Sequence, residues 1–408
     1  MTSPAELLAN INIESKEAEQ YLSHFASLSE EEKKIARPAA IEKLFPLLFG
    51  ERAAIESSEN FAQLREKPWS TNCYLSPTAI LTPSTPTQTS QILALTKHLG
   101  ATFSIRGGGH LQNPGFTSND HGVVISLCQL QNITLAPDKK TATIGAGLNW
   151  LQVYKELHEH DLTVTGGRVP SVGVPGLLLG GGLSFQNSEH GFSCMGVVNY
   201  EVVLADSRIV NANANENADL FWALKGGCAN FGIVTSFEMV TVPNKVWAEA
   251  RLYPPTQNVQ LIEALMKYHE GIEKDNKATL IFHATSQATL LVFFYTAPVD
   301  NPAVFAPYYD IPFLMKLIEP GCRTVYEVMQ GISNVMQAET MAHDMRTMTS
   351  LPDLEMYKAV EEARSQQVQA LAAAGVEDVL LTMVFQPIAS GAINACEAAG
   401  GNPLGLKA

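Results

Sequence analysis

Apolar positions recur along this chain with two spacings, and the change from one to the other divides it. Over residues 1–60 they follow the three-to-four spacing of helices. Ser3-Pro4-Ala5-Glu6 supplies a cap, a first-turn proline and an acid at the third position, and Ser29-Glu30-Glu31-Glu32 repeats the capping-box spacing. From Ala79 strands and helices alternate. Residues 79–82 are a short apolar run ending at Pro83, 87–99 an amphipathic helix stopped by Gly100, and 102–106 a second strand. A strand, helix and strand within so short a stretch make a βαβ unit, whose strands run parallel. The pattern predicts further strands at 123–127, 142–145, 201–205, 209–211 and 233–240, with helices at 149–159 and 217–225.

After Pro243 the pattern shifts again. A helix at 259–269 precedes strands at 279–284 and 289–296, joined by a short polar turn. A Met-rich helical region is predicted over 325–349, then a helix over 354–374 and a strand over 379–386. The fold class is therefore α+β: a helical extension over 1–60, an α/β domain over 61–245, and a second α+β domain over 246–408 built on an antiparallel sheet. The methionines at 329, 336, 341, 345 and 348 read as helix core filling rather than as the lining of a pocket.

Composition narrows the function. Of 408 residues 46% are hydrophobic and 17% charged, which excludes a disordered chain. With 27 Lys and Arg against 41 Asp and Glu, the formal charge is -14, which disfavours both nucleic acid and anionic membrane surfaces as partners. No apolar run is long enough for a membrane span, and residues 1–46 lack the basic start and apolar core of a signal peptide, so the expected compartment is the cytosol. Cys73, Cys128, Cys194, Cys228, Cys322 and Cys396 include no CxxC pair and read as free thiols. His158 and His160 flank Glu159 at the end of a polar helix and read as solvated surface, so no metal site is expected.

Glycine is the informative residue. Of 29 glycines, 15 fall between Arg106 and Phe192, leaving 14 for the rest of the chain. One cluster is Arg106-Gly107-Gly108-Gly109-His110, which follows a predicted strand, where ligands of α/β sheets sit. The other runs from Gly166 through Ser171, Val172, Gly173 and Gly176 to Gly180-Gly181-Gly182. Glycines without Cβ let successive peptide N–H groups converge into a nest for phosphate, and two nests suggest a pyrophosphate gripped from two sides; tight turns are the other reading. There is no GxxxxGK[ST], and Gly145-Ala146-Gly147 has Trp150 where a Rossmann fingerprint needs glycine, so dinucleotide binding requires another fold.

The segments IRGGGH, SVGVPGLLLGGGLSF, EVVLADSRIVNANA and DLFWALKGGCANFGIVTSFEM occur in this order. Together they resemble the FAD-binding domain of the berberine bridge enzyme-like oxidases, members of the vanillyl-alcohol oxidase, or PCMH-type, flavoprotein superfamily, with fungal relatives of 6-hydroxy-D-nicotine oxidase the nearest in pattern. The resemblance implies a PCMH-type FAD-binding domain of two α/β subdomains and a separate substrate domain. It places the covalent flavin link on His110, a bond that prevents flavin loss. The pyrophosphate contacts fall on the peptides of Arg106, Gly107, Gly108 and Gly109, with Ser171, Val172, Gly176, Gly180, Gly181 and Gly182; Ile233 and Val234 match positions along the nucleotide.

Three departures qualify this likeness. Val169 stands where doubly linked members carry a cysteine, so a single link is implied. Leu177 replaces a histidine near the flavin pyrimidine edge, while Val172 matches a small residue that leaves room for dioxygen. Family members continue well past the GGNPLGL stretch at 400–406, adding a strand that often carries the catalytic base, so the substrate domain is expected to be short at its C-terminal end. Candidates for the base on the remaining strands are Tyr295, His283 and Gln386, and alternation leaves open which of them faces inward. The expected function is an FAD-dependent oxidase that takes hydride from a small organic molecule, of secondary metabolism, and uses dioxygen as its second substrate. The alternatives are a non-redox cyclase or isomerase on the same fold, or a catalytically silent homologue.

Overall fold

Serines at positions 3, 15 and 29 cap the three opening helices, Pro4–Asn10, Lys16–Ser27 and Glu30–Phe49, and Ser3 with Glu6 and Ser29 with Glu32 close complete capping boxes, as the spacing predicts. The computed structural model describes residues 3–335, 340–376 and 379–408. The helical segment expected over 1–60 does not stand apart: Leu22, Phe25, Ile41, Leu44 and Phe45 are buried in one cluster with Leu81, Ile92 and Ile125 of the following domain. Ala53–Ala54 pairs with Ala79–Leu81, which draws the end of that segment into the first sheet.

That first sheet runs Ala53–Ala54, Ala79–Leu81, Val123–Ser126, Phe103–Arg106. The strands of the βαβ unit, Ala79–Leu81 and Phe103–Arg106, are parallel as expected, but Val123–Ser126 lies between them and pairs with both. A second, six-stranded antiparallel sheet has the long strand Ile233–Pro243 at its centre, flanked by Thr141–Gly145 and Val197–Val203. These two sheets and their helices make the α/β part.

The chain turns at Asn244 into a five-stranded antiparallel sheet with the order Met315–Thr324, Lys245–Tyr253, Thr289–Tyr295, Ala278–Ala284, Met383–Phe385. Alternation along these strands separates two faces. Trp247, Leu280, Phe282, Leu291 and Phe293 pack under the helix Asn258–Ile272. Val246, Ala248, Ala250, Val292 and Phe294 point the other way and join the core of the α/β part. There Phe294 stacks on Phe185, ring centroids 4.4 Å apart and planes at 11°, a contact worth about 1 kcal/mol beyond its area.

Three sequence-based elements need correction. Of the helix predicted over 325–349, Val325–Val335 is helical, and the described residues 340–353 form no helix. Thr347, Thr349 and Ser350 are poor helix formers and Pro352 disfavours helical geometry before it. Of the methionine stripe, Met329 is buried, Met345 and Met348 are exposed, and Met336 lies outside the described residues. The strand predicted over 379–386 contracts to Met383–Phe385. Met315–Thr324 was absent from the pattern because Pro320 and Gly321 interrupt it; as an edge strand it tolerates a proline that cannot donate. All six cysteines are free, as expected.

A buried polar cluster fixes the helix Leu354–Ala373 to the sheet domain. Arg364 donates twice to Glu361, at 2.7 Å each, Asn258 Nδ2 donates to Glu361 at 2.7 Å, and Thr289 Oγ1 donates to Asn258 at 2.5 Å. Breaking a buried pair strands the remaining charge, so Glu361→Leu is expected to cost about 3–5 kcal/mol. The double variant Glu361→Leu/Arg364→Leu is expected to recover most of this, as measured by urea unfolding.

Candidate functional site

The strand Phe103–Arg106 delivers Gly107, Gly108, Gly109 and His110 at its C-terminal end. The Arg106 side chain runs into the protein, its Cγ and Cδ 3.7 Å from where a Cβ on Gly109 would stand. Its Nε donates to the Thr117 carbonyl at 2.9 Å and its Nη1 to that of Leu64 at 2.5 Å; burial lowers the guanidinium to about 10. This side chain braces the loop after His110 against the helix Phe61–Arg65, while its buried Nη2 has no hydrogen-bond partner among the described residues.

The two glycine segments meet backbone to backbone. A Cβ on Gly108 would stand 2.4 Å from the Gly173 nitrogen, and one on Gly173 would stand 2.4 Å from that of Gly108. A Cβ on Gly107 would fall 2.4 Å from Pro175 Cγ. Side chains at these positions would force the segments apart. Gly109 takes a left-handed φ of 68° and accepts a hydrogen bond from the Trp69 amide at 3.0 Å. Among the described residues the N–H groups of Gly107, Gly108, Gly109 and Gly173 donate to no backbone carbonyl. Free amides beside glycine surfaces are a donor set that fits a pyrophosphate.

The second segment continues from Gly173 through the helix Val174–Leu179 to the 180–182 run. Ser171 is exposed, Val172 half-buried, and Gly176 has open space where a Cβ would stand. Gly181 and Gly182 take left-handed φ of 96° and 78°, and their carbonyls accept from Cys194 and Ser193 at 2.9 Å each. Gly180 ends the helix Val174–Leu179. Leu177 fills the gap between Gly167 and Gly182. Ile233 and Val234 open the central strand of the second sheet opposite Val203 and Val202, and both side chains are buried in the cluster that holds Val174 and Leu178.

His110 is half-buried at the edge of the cradle, and burial lowers its pKa, with His343 nearby adding to the effect. Its ring stacks on Trp69, centroids 4.3 Å apart at 12°, and Trp69 stacks on His343, centroids 3.4 Å apart at 21°. Sequence reading missed both partners. Neither belongs to a motif, and they come together only because residues 341–343 cross from the sheet domain to lie beside Ser70.

The sheet of the second domain sorts the three candidate bases. His283 lies on the face shared with Thr279 and Ile281; Thr279 Oγ1 donates to the Phe185 carbonyl of the α/β part at 2.8 Å. Burial lowers the His283 pKa, which keeps the ring neutral near pH 7. Gln386 follows the edge strand and its side-chain oxygen accepts from Arg168, which burial lowers to about 10. Tyr295 lies on the opposite, helix-covered face with Phe293. Its hydroxyl is 3.1 Å from Asp275, and burial together with that carboxylate pushes it up to about 12. His158 packs its ring against Tyr326, His160 is exposed, and no group of metal-ligating side chains occurs among the described residues. No helix among the described residues is long and apolar enough to cross a membrane.

The FAD binding domain family matches residues 77–213. An FAD-dependent monooxygenase of Arthrobotrys oligospora is 37% identical over 363 residues, covering 88% of this chain and 70% of the relative. Among solved structures, 6-hydroxy-D-nicotine oxidase of Arthrobacter nicotinovorans is similar with a TM-score of 0.65 at 20% identity, covering 73% of this chain and 67% of that one. The berberine bridge enzyme-like protein 1 of Physcomitrella patens is similar with a TM-score of 0.66 at 19% identity, covering 78% and 73%. These two share the fold. With a cradle that fits a pyrophosphate, a matched FAD-binding domain and a fungal relative alike over most of its length, the chain belongs to the same family of FAD-dependent oxidoreductases as that monooxygenase, on a fold shared with the two solved structures.

Proposed function

We propose that the protein is a cytosolic FAD-dependent oxidase of a small organic, secondary-metabolite substrate, with FAD held by one covalent link to His110 and dioxygen as electron acceptor. The observation that carries this reading is the contact of Gly108 with Gly173, which merges two glycine segments into one cradle with His110 at its rim. When bound, FAD supplies hydride acceptance from a substrate C–H bond and electron transfer to dioxygen, giving hydrogen peroxide.

The chain's own residues do the rest. The amides of Gly107, Gly108, Gly109 and Gly173, with Ser171, Gly176 and the 180–182 run, hold the pyrophosphate. Ile233 and Val234 offer backbone edges along the nucleotide. His110, kept neutral by burial, has a nitrogen lone pair free for the link; Val169 offers no thiol for a second. Val172 leaves space for dioxygen. On the facing sheet, neutral His283 accepts the proton from a substrate O–H or N–H, and Gln386, tethered to Arg168, orients the substrate. Tyr295, engaged with Asp275 on the far face, takes no part.

Intact mass after denaturation is expected to show the chain plus one FAD, and His110→Ala is expected to release its yellow cofactor; a wild-type chain that releases all its flavin overturns the link. In the unlinked His110→Ala background, Gly173→Ala drives a methyl into Gly108 and is expected to weaken FAD binding about tenfold or more, at least about 1.4 kcal/mol, read by titrating the flavin-free chain with FAD. His283→Gln is expected to lower kcat by about 100- to 10,000-fold with flavin content unchanged. An unchanged kcat removes His283 from its role as base.

A further inference from the structure

Trp69 has an aromatic ring on each side. Two imidazoles within 4.3 and 3.4 Å of one indole centroid, both nearly parallel to it, have no room side by side, so His110 and His343 lie on opposite faces. The indole and one of its outer layers are anchored by hydrogen bonds. Trp69 is tied to the glycine loop through its amide on the Gly109 carbonyl at 3.0 Å. His343 is tied to the segment after Trp69 by three bonds: its amide donates to Ser70 Oγ at 2.9 Å, its carbonyl accepts from Asn72 Nδ2 at 3.2 Å, and the Met341 carbonyl accepts from the Thr71 amide at 3.1 Å. Ser70 is fully buried.

We propose that Trp69 and His343 are positioning residues for flavin attachment: the indole, pressed from behind by His343, holds the His110 imidazole in the plane from which its nitrogen reaches the flavin methyl carbon. The proposal rests on the reading that His110 carries the flavin. The three glycines before His110 offer no side chains to brace its ring. Stacking fixes the ring plane, and with it the in-plane direction of the nitrogen lone pair, while leaving the ring edge free to react. In the linking step a carbon–nitrogen bond forms and one methyl C–H and one imidazole N–H bond break. The two electrons and two protons pass to the flavin ring, from which dioxygen removes them as hydrogen peroxide. The step needs no other oxidant. Burial of His110 beside His343 favours its neutral, nucleophilic form.

The test uses full-length protein produced without flavin and then mixed with FAD. Equilibrium affinity is read by fluorescence, and the rate of linkage by the growth of the chain-plus-FAD mass at saturating FAD. Trp69→Ala and His343→Ala are expected to slow linkage about ten- to a hundredfold while affinity stays close to that of wild type. Trp69→Phe and His343→Phe, which keep a stacking ring, are expected to restore most of the rate. Linkage at the wild-type rate in both alanine variants overturns the proposal. So does a parallel loss of affinity and rate that phenylalanine fails to rescue, since that marks a merely structural role. A wild-type chain that binds FAD and never gains its mass overturns the assignment of His110, and this proposal with it.

Discussion

Gly108 and Gly173 touch with no side chain between them, and the arrangement around the cradle depends on that contact. It fixes how far the end of the strand Phe103–Arg106 stands from the helix Val174–Leu179, and Pro175 seated on Gly107 repeats the constraint one residue away. The second segment is held in turn from below. The Trp150 amide donates to the Val172 carbonyl at 3.1 Å, and the fully buried Trp150 ring lies where Cβ atoms on Gly166 and Gly167 would stand. A ladder of missing side chains therefore lets three layers of backbone and one indole pack at distances no other residue permits. The same feature leaves peptide N–H groups facing outward, so the tightness of the packing and the capacity to hold an anion have one cause.

How much of this was legible depended on whether the signal was local. The helix caps at Ser3 and Ser29 and the helix Trp150–His158 are local in sequence and stand where the pattern predicts them. Strand order is not local: nothing near Val123 announces that its strand inserts between its two parallel neighbours. The two glycine segments stood out by composition, but not their direct contact. Alternation separated His283 from Tyr295 without saying which faced inward; the stack of Phe294 on Phe185 and the packing of Phe293 under the helix Asn258–Ile272 decide it. The Trp69 stack was invisible because aromatic contacts between distant segments leave no period in sequence.

The Arg106 side chain has a role apart from that of its peptide. A guanidinium as buried as this one is costly without anionic partners, and here two carbonyl dipoles, from Leu64 and Thr117, stand in for a carboxylate. The result is a rigid brace behind the loop of Gly107 to His110. The strand's alternation turns this cationic side chain into the protein, where it packs against Gly109.

The indole between two histidines has a consequence in time. His110 and Trp69 leave the ribosome early, whereas His343 follows 233 residues after His110. At typical synthesis rates that gap is roughly 10–50 s. During it the nascent chain can already build the sheet behind the glycine loop, with one face of Trp69 bare. The third layer is thus supplied by a part of the chain made well after the glycine loop, with the strand Met383–Phe385 still to come.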